Sequence, residues 1–169
     1  GANACILHYN ENCAALGDGD LVLIDAGAEY NYYTADITRT FPANGTFTTE
    51  QKELYEITLE AQKAAIEGVR IGGSVQAVDA IARRKLAEGL VALGLLKGSI
   101  DDLIEKKKVP DQPLWHPGKA ALDRFYPHRT GHYLGMDVHD VGRYHDGENP
   151  TSFEAGMVVT IEPGLYVQL

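Results

Sequence analysis

Apolar residues follow two different spacings along the chain, and each spacing predicts a different element. Residues 21–24 form a continuous apolar run, Leu-Val-Leu-Ile, and residues 32–38 form a second run with high β propensity. Over residues 54–64, and again over residues 75–93, apolar residues recur three and four positions apart, as on the buried face of a helix. The pattern therefore predicts strands near the start of the chain, followed by two amphipathic helices.

Start and stop signals give these helices their bounds. Thr48 and the glutamine three residues later have the spacing of a capping box, which predicts a first helix that ends at about residue 68. Ser74 caps the second predicted helix, which ends at Gly94, and a short amphipathic helix is predicted over residues 99–107. We assign all three helices to packing rather than to chemistry.

The β segments carry the first candidate chemistry. Residues 4–9 read as a strand that contains His8, so three successive segments are predicted to form an antiparallel meander. If the second and third segments pair around Tyr30-Asn31, Asp25 faces Asp36. Directly opposed side chains lie about 4.5–5.5 Å apart at Cβ, and like charges there are destabilising. Two buried carboxylates in that relation need a shared proton or a cation, and we take the cation as the hypothesis.

A polar segment from residue 128 onwards supplies further candidates. His128, His132 and His139 fall within twelve residues, and the first two have the i, i+4 spacing of helical zinc motifs. Arg129 stands where that motif has its glutamate, and Gly131 disfavours a helix. We therefore predict that a loop and a strand present these histidines.

A proline-rich stretch, residues 109–127, separates the helices from the polar segment. Its four prolines forbid long regular structure, and a long irregular loop in a compact domain is usually functional or mobile. His116 lies in this loop, and we interpret it as a surface histidine.

The last predicted strand, residues 156–162, is apolar on both faces and ends in Glu162, so we expect it to be central in a sheet. Taken alone, a charge at the end of a buried strand indicates a structural salt bridge as readily as a ligand. Together with Asp25, Asp36 and His132, it favours a metal site. Three carboxylates and one histidine suit manganese, cobalt, iron or zinc, and bridging carboxylates can hold two ions about 3.5–4 Å apart.

Composition narrows the class of partner. The chain has 169 residues and a formal net charge of -9, which indicates one domain and argues against nucleic acid as the main partner. No apolar stretch approaches the roughly 18 residues of a membrane span, so we expect no membrane partner and a cytoplasmic location. Cys5 and Cys13 show no disulfide pattern and are expected to be reduced. The chain begins at Gly1 and ends at Leu169 in strand-like runs, which indicates a piece of a longer protein.

Four segments resemble, in order, the catalytic domain of the pita-bread metallopeptidases: ILHY, DAGAEYNYYTADITRTFP, HRTGHYLGMDVHDVG and MVVTIEPGLY. Within that group the nearest resemblance is to the Xaa-Pro aminopeptidase (aminopeptidase P) family, with prolidase close behind. The resemblance spans residues 6–166 and implies an α+β pita-bread fold, a mostly antiparallel curved sheet covered by helices. Residues 1–169 would then form a partial catalytic domain without the family's N-terminal domain, first helix and last strands.

The resemblance also implies a ligand set. Asp25, Asp36, His132 and Glu162 fall on four of the family's five ligand positions, with Asp36 as the bridging residue. The metal is usually manganese, and two ions are implied. The fifth ligand is a bridging glutamate on a later strand, beyond the end of this chain, so a second ion is expected to be held weakly.

The remaining implied roles concern the reaction. Glu162 matches the general acid/base, His8 the histidine near the leaving side of the scissile bond, His128 one that stabilises the intermediate, and His139 one that contacts the substrate. The implied activity is removal, by a metal-activated hydroxide, of an N-terminal residue that precedes proline. The implied partner is a peptide with proline at its second position, and a homo-oligomer is a further expectation.

Two classes of alternative stand beside this reading. The chain could be a catalytically inactive pita-bread module that binds other proteins, or a hydrolase of another type, either an Xaa-Pro dipeptidase (prolidase) or a metal-free, creatinase-like enzyme. The four ligand positions and the three accessory histidines are all retained, which favours a metallopeptidase as the parent protein. The fragment itself is expected to have little activity without the fifth ligand.

Overall fold

The computed structural model describes residues 2–107 and 118–167. Short strands lie towards both ends of the chain, and the helices lie between them. The strands are β1 (Leu21–Ala26), β2 (Glu29–Tyr30), β3 (Tyr33–Thr34), β4 (Ile37–Pro42), β5 (His145–Asp146) and β6 (Asn149–Pro150); the helices are α1 (Thr49–Glu67), α2 (Val75–Ala92) and α3 (Ile100–Ile104), with 3₁₀ turns at Ala2–Cys5 and Ala121–Arg124.

One long hairpin contains β1 to β4. β1 pairs with β4 and β2 pairs with β3, both antiparallel and in a single continuous register. The turn lies at Asn31 and Tyr32, whose φ angles are 50° and 65°. Positive φ at both central residues gives a two-residue turn the twist that antiparallel strands need.

The predicted pairing of Asp25 with Asp36 was wrong by two residues. The turn lies one residue further along the chain than expected, so Asp25 faces Thr38. Asp36 lies diagonally across from Asp25 on the same face of the hairpin, because alternate side chains of a strand point the same way. The carboxylates are therefore diagonal neighbours, and Asp25 is exposed rather than buried.

The predicted first strand, and with it the three-stranded meander, was also wrong. Residues 2–5 form a 3₁₀ turn, and Ile6 N donates to Asn3 O at 3.0 Å, so local hydrogen bonds replace a ladder. The side chains of Ile6 and Leu7 are 57% and 47% exposed, so their apolar pattern finds no sheet to pack on within the described residues.

The helix predictions were confirmed at their starts. Thr48 and Gln51 form the reciprocal capping box of α1, and Ser74 caps α2. The third helix is shorter than predicted, since α3 ends at Ile104 and the next residue, Glu105, is extended. Residues 108–117, which include His116 and the first nine residues of the predicted proline-rich loop, lie outside the described residues, while the rest of that loop contains the 3₁₀ turn Ala121–Arg124.

The helices form the core on which the site is supported. α1 and α2 pack through Ala61, Leu86 and Leu90, which are fully buried, and Tyr126 closes the same cluster. No helix among residues 2–107 and 118–167 is long and apolar enough to cross a bilayer.

Two extended segments, residues 130–134 and 158–162, run antiparallel beside this core. The prediction of a central strand was wrong here, because the second segment has a bridge only at Tyr133–Val159 among the described residues and Val158 is 42% exposed. Backbone hydrogen bonds nevertheless fix its register: Thr160 N to His132 O at 2.9 Å, Glu162 N to Thr130 O at 2.7 Å and Leu134 N to Val158 O at 3.1 Å.

Helix α2 anchors the start of the first segment. Asp79 Oδ1 accepts hydrogen bonds from the backbone N–H of Thr130 at 3.0 Å and from its hydroxyl at 2.8 Å. Tyr126 OH lies 2.7 Å from the same hydroxyl. Because Thr130 O accepts the N–H of Glu162, α2 sets the position of both segments.

Gly131 allows the two segments to approach. A Cβ at this position would lie 1.9 Å from the backbone oxygen of Thr160, far inside van der Waals contact. We expect Gly131→Ala to lower the free energy of unfolding by about 1–3 kcal/mol, the usual effect of overpacking, in urea denaturation of the chain. Gly17→Ala, whose added Cβ meets only the flexible Asp20 side chain, is the control and should stay within about 0.5 kcal/mol. Equal effects of the two substitutions would contradict this account.

Candidate metal centre

Three side chains from distant parts of the chain converge at the edge of the hairpin. Asp36 directly precedes β4, while His132 and Glu162 lie on the two extended segments. One ligand atom from each lies within 4.8 Å of the others, and all three side chains are partly buried. His132 Nε2 is 3.1 Å from Asp36 Oδ2 and 3.0 Å from Glu162 Oε1.

The hydrogen bonding of His132 defines which ring nitrogen carries the proton. His132 Nδ1 lies 2.9 Å from the carbonyl oxygen of Tyr133, which can only accept, so Nδ1–H is the donor. In the neutral ring Nε2 then presents a lone pair, and this lone pair faces two carboxylate oxygens. Three acceptors at this distance repel one another unless a proton or a cation lies between them. An imidazole Nε2 with two carboxylates is a suitable ligand set for a divalent metal ion, so the residues fit the predicted group.

Asp25 extends the negative charge of the centre. Although Asp25 as a residue is exposed, partial desolvation of its carboxyl, followed by the charge of Asp36, raises its pKa, and hydrogen bonds connect its side chain to Thr38 and to Asp36. The proximity of Asp25 and Asp36 therefore favours either a shared proton or a cation, as the sequence predicted, although the two residues are not directly opposed.

Glu162 is oriented by a residue that the sequence reasoning missed. Thr160 Oγ1 lies 2.8 Å from Glu162 Oε1 and also accepts the backbone N–H of His132 at 3.0 Å. Alternation along the strand was the available signal, because residues 160 and 162 of an extended segment share a face.

His128 lies close to the centre but is held by its own hydrogen bonds. Its Nδ1 is 2.8 Å from the carbonyl oxygen of Arg129, and its Nε2 is 2.9 Å from Tyr166 OH. Burial, and then the negative charges of Glu162 and Asp25, raise the pKa of Tyr166 to about 12, so the phenol remains a donor at neutral pH. Tyr166 is the second residue that the sequence reasoning missed.

The other two predicted histidines are more exposed. The ring of His139 packs edge-on against His132, with 4.2 Å between centroids. His8 follows the first 3₁₀ turn, and it is near enough to Asp25 to lower the pKa of that carboxyl slightly. The structure thus brings Asp36, His132 and Glu162 together, with Asp25 beside them, while the catalytic roles of the histidines stay predictions.

One histidine and two carboxylates thus converge on one point, and this ligand set suits a divalent metal ion. The chain belongs to metallopeptidase family M24, whose family model matches residues 1–168, and it has the α+β pita-bread fold of that family. Its relatives include Xaa-Pro aminopeptidases. The Haemophilus influenzae enzyme is 52% identical over 168 residues, which cover 99% of this chain and 36% of that protein, and the Escherichia coli enzyme is 47% identical over 99% of this chain and 35% of that protein.

Solved structures show the same relationship. The Pseudomonas aeruginosa aminopeptidase PepP superposes with a TM-score of 0.88 at 50% identity, over 99% of this chain and 35% of that chain. A zinc-substituted E. coli aminopeptidase P in complex with product gives a TM-score of 0.86 at 46% identity, with the same coverage. The chain therefore spans about a third of the length of these relatives. Family membership and the ligand set together support a divalent metal cofactor.

Asp25 gives the metal-free chain a definite pH dependence. Because the pKa of Asp25 is raised above its ordinary 3.8, the folded chain keeps this proton at pH values where the unfolded chain has lost it. The free energy of unfolding therefore falls as pH rises from the ordinary pKa through the raised one. In EDTA, we expect the melting temperature of the unsubstituted chain to fall more steeply across this window than that of Asp25→Asn, as followed by circular dichroism.

The control for this pH experiment is Asp146→Asn, which removes a carboxylate that is 80% exposed on β5. It should follow the unsubstituted chain at every pH. Parallel profiles for the unsubstituted chain and Asp25→Asn would show that the Asp25 proton does not differ between the folded and unfolded states.

Proposed function

We propose that this chain is the metal-binding part of an exopeptidase that removes an N-terminal residue preceding proline. The observation that carries the proposal is the convergence of Asp36 Oδ2, His132 Nε2 and Glu162 Oε1 around one point, with the Nε2 lone pair directed at two anions. Asp25, beside Asp36, is the fourth ligand of the proposed site, and Asp36 is the bridging one. The Xaa-Pro aminopeptidase names of the relatives support the substrate class.

A divalent cation in this ligand set would supply Lewis acidity towards the scissile carbonyl and towards water. We favour manganese, and we expect the second of two ions to be the more weakly held. Three of the four proposed ligands have a partner that orients them: His132 through the Tyr133 carbonyl, Glu162 through Thr160, and Asp25 through Thr38. Such partners fix the direction of the ligand atoms before any ion arrives.

Glu162 is the proposed general acid/base, because its carboxylate is 30% exposed and borders both the ligand atoms and the surface. His139 is exposed next to His132, where it can contact a bound peptide. His128 holds a proton on Nδ1, which donates to a backbone carbonyl, and its Nε2 accepts from Tyr166. In this arrangement His128 and Tyr166 act as a connected pair beside the centre, and His8 approaches it from the side of Asp25.

The direct test is hydrolysis of an Xaa-Pro-Xaa tripeptide with added manganese, with the released N-terminal amino acid detected by mass spectrometry. The reaction is run on this chain and on a form extended at its C-terminus, and an Xaa-Ala-Xaa peptide and an Xaa-Pro dipeptide serve as controls. Preferential cleavage of the tripeptide by the extended form supports the proposal, and preference for the dipeptide would indicate a prolidase. Metal binding without cleavage of any peptide by the extended form would instead favour a non-catalytic binding module.

The metal content of the chain should depend on Asp36, the hairpin residue whose carboxylate contacts His132. We expect Asp36→Asn to lose its bound metal while its far-ultraviolet circular dichroism is unchanged, because an amide oxygen carries no charge to offset the cation. Elemental analysis after dialysis against manganese measures the effect. Asp146→Asn is the control, and full metal content in Asp36→Asn would show that this side chain is not a ligand.

Chelation should lower the thermal stability of the chain. An ion that binds only the folded state contributes about 2.7 kcal/mol when its free concentration is one hundred times its Kd. We therefore expect a higher melting temperature in manganese than in EDTA for the unsubstituted chain and no difference for Asp36→Asn. If the unsubstituted chain melts at the same temperature in manganese and in EDTA, the repulsion between the clustered carboxylates is not relieved by a bound ion.

A further inference from the structure

The side chain of Thr160 lies between the two extended segments, directly behind the candidate metal centre. Thr160 is only 8% exposed, so its hydroxyl must form its hydrogen bonds within the protein. The hydroxyl has two: the backbone N–H of His132 at 3.0 Å and Glu162 Oε1 at 2.8 Å. One small side chain therefore contacts two of the proposed ligand residues.

The direction of these hydrogen bonds follows from the donors available. The His132 N–H can only donate, so Thr160 Oγ1 accepts from it and keeps its own hydrogen for another partner. Glu162 Oε1, as a carboxylate oxygen, accepts that hydrogen. Since the His132 N–H uses one lone pair of the hydroxyl, the hydroxyl hydrogen is directed at the acceptor 2.8 Å away, Glu162 Oε1.

Glu162 needs such a contact because its other neighbours push it away. Its Oε1 lies 3.0 Å from His132 Nε2, which presents a lone pair when the ring is neutral, and Asp36 Oδ2 lies 3.1 Å from the same nitrogen. Without an ion, an unrestrained glutamate would rotate its carboxylate towards water, since rotation about its side-chain bonds relieves the repulsion. The Thr160 hydrogen bond opposes that rotation.

We propose that Thr160 is a positioning residue of the metal centre, whose hydroxyl holds the Glu162 carboxylate towards His132 and Asp36 before an ion binds. The inference rests on the proposed function, because it assumes that this cluster binds a divalent cation. It assigns to Thr160 a part in metal affinity, separate from the backbone hydrogen bond that its N–H makes to His132 O.

The test compares three variants of this chain with the unsubstituted chain. Each is titrated with Co²⁺, and binding is measured by calorimetry and by the visible absorption of the bound ion. Thr160→Val keeps the shape of the side chain and removes the hydroxyl, while Thr160→Ser restores the hydroxyl. Thr151→Val is the matched control, since Thr151 Oγ1 is buried and has no hydrogen-bond partner among the described residues. Circular dichroism melts in EDTA confirm that each variant folds, and Thr160→Ala replaces Thr160→Val if the valine does not.

We expect Thr160→Val to bind Co²⁺ roughly 10–100-fold more weakly than the unsubstituted chain, the range usual for loss of a group that orients a ligand. Its cobalt spectrum should also change, because Glu162 no longer meets the ion in one fixed orientation. Thr160→Ser and Thr151→Val should keep both affinity and spectrum. A role confined to folding would lower the melting temperature of Thr160→Val and leave its spectrum unchanged.

Two outcomes distinguish failure of the role of Thr160 from failure of the proposed metal centre. If the unsubstituted chain and Thr160→Val bind Co²⁺ with equal affinity and equal spectra, the role of Thr160 is refuted while the metal centre stands. If the unsubstituted chain gives no saturable binding of Co²⁺ or Mn²⁺, the metal centre itself is refuted, and the role of Thr160 with it.

Discussion

The close approach of residues 130–134 to residues 158–162 is the constraint on which the candidate site depends. His132 and Glu162 lie on the two neighbouring segments, and their side chains meet with 3.0 Å between His132 Nε2 and Glu162 Oε1. Residue 131 can only be glycine at this separation, because any Cβ would enter the carbonyl of Thr160. The hydrogen bonds of the backbone then fix the register, so that each side chain of the site faces its partner.

This pair of segments is held from behind by a buried polar network. Asp79 of α2 accepts both hydrogen bonds of Thr130, and Tyr126 contacts the same hydroxyl. On the same helix, the buried Arg83 forms an ion pair with Asp123. Buried polar groups of this kind are costly unless they are satisfied, and in return they define one arrangement rather than several. The helices that the sequence pattern assigned to packing therefore have a second effect, since they set the position of two of the proposed metal ligands.

Sequence patterning predicted what local chemistry determines. The capping residues Thr48 and Ser74 predicted the starts of their helices correctly, because a cap needs only neighbours within one turn. The candidate ligands were selected by local signals: Asp36 by its predicted strand pairing with Asp25, His132 by its place in a polar segment with three histidines, and Glu162 because a charge at the end of a buried strand needs a partner.

The errors fall where the outcome depends on contacts distant in sequence. The hairpin register depends on which residues adopt a positive φ. Tyrosine rarely does so, and the sequence therefore did not indicate that Tyr32 would be a turn residue. An apolar run such as residues 4–9 becomes a strand only if another strand is there to pair with it. Thr160 and Tyr166 were missed because a hydroxyl has no role until the atoms around it are known.

The hairpin of β1 to β4 contributes Asp25 and Asp36 but is a two-stranded ribbon, and such ribbons have marginal stability by themselves. Asp36 and His132 are 96 residues apart in sequence, so an ion shared between them would close a long loop of chain. A metal held by both residues would act as a removable cross-link of the folded chain: it would stabilise that state by mass action and would be released on unfolding. In this view the order of the ribbon and the occupancy of the site are one equilibrium, and a cell that varied its supply of the metal would vary both together.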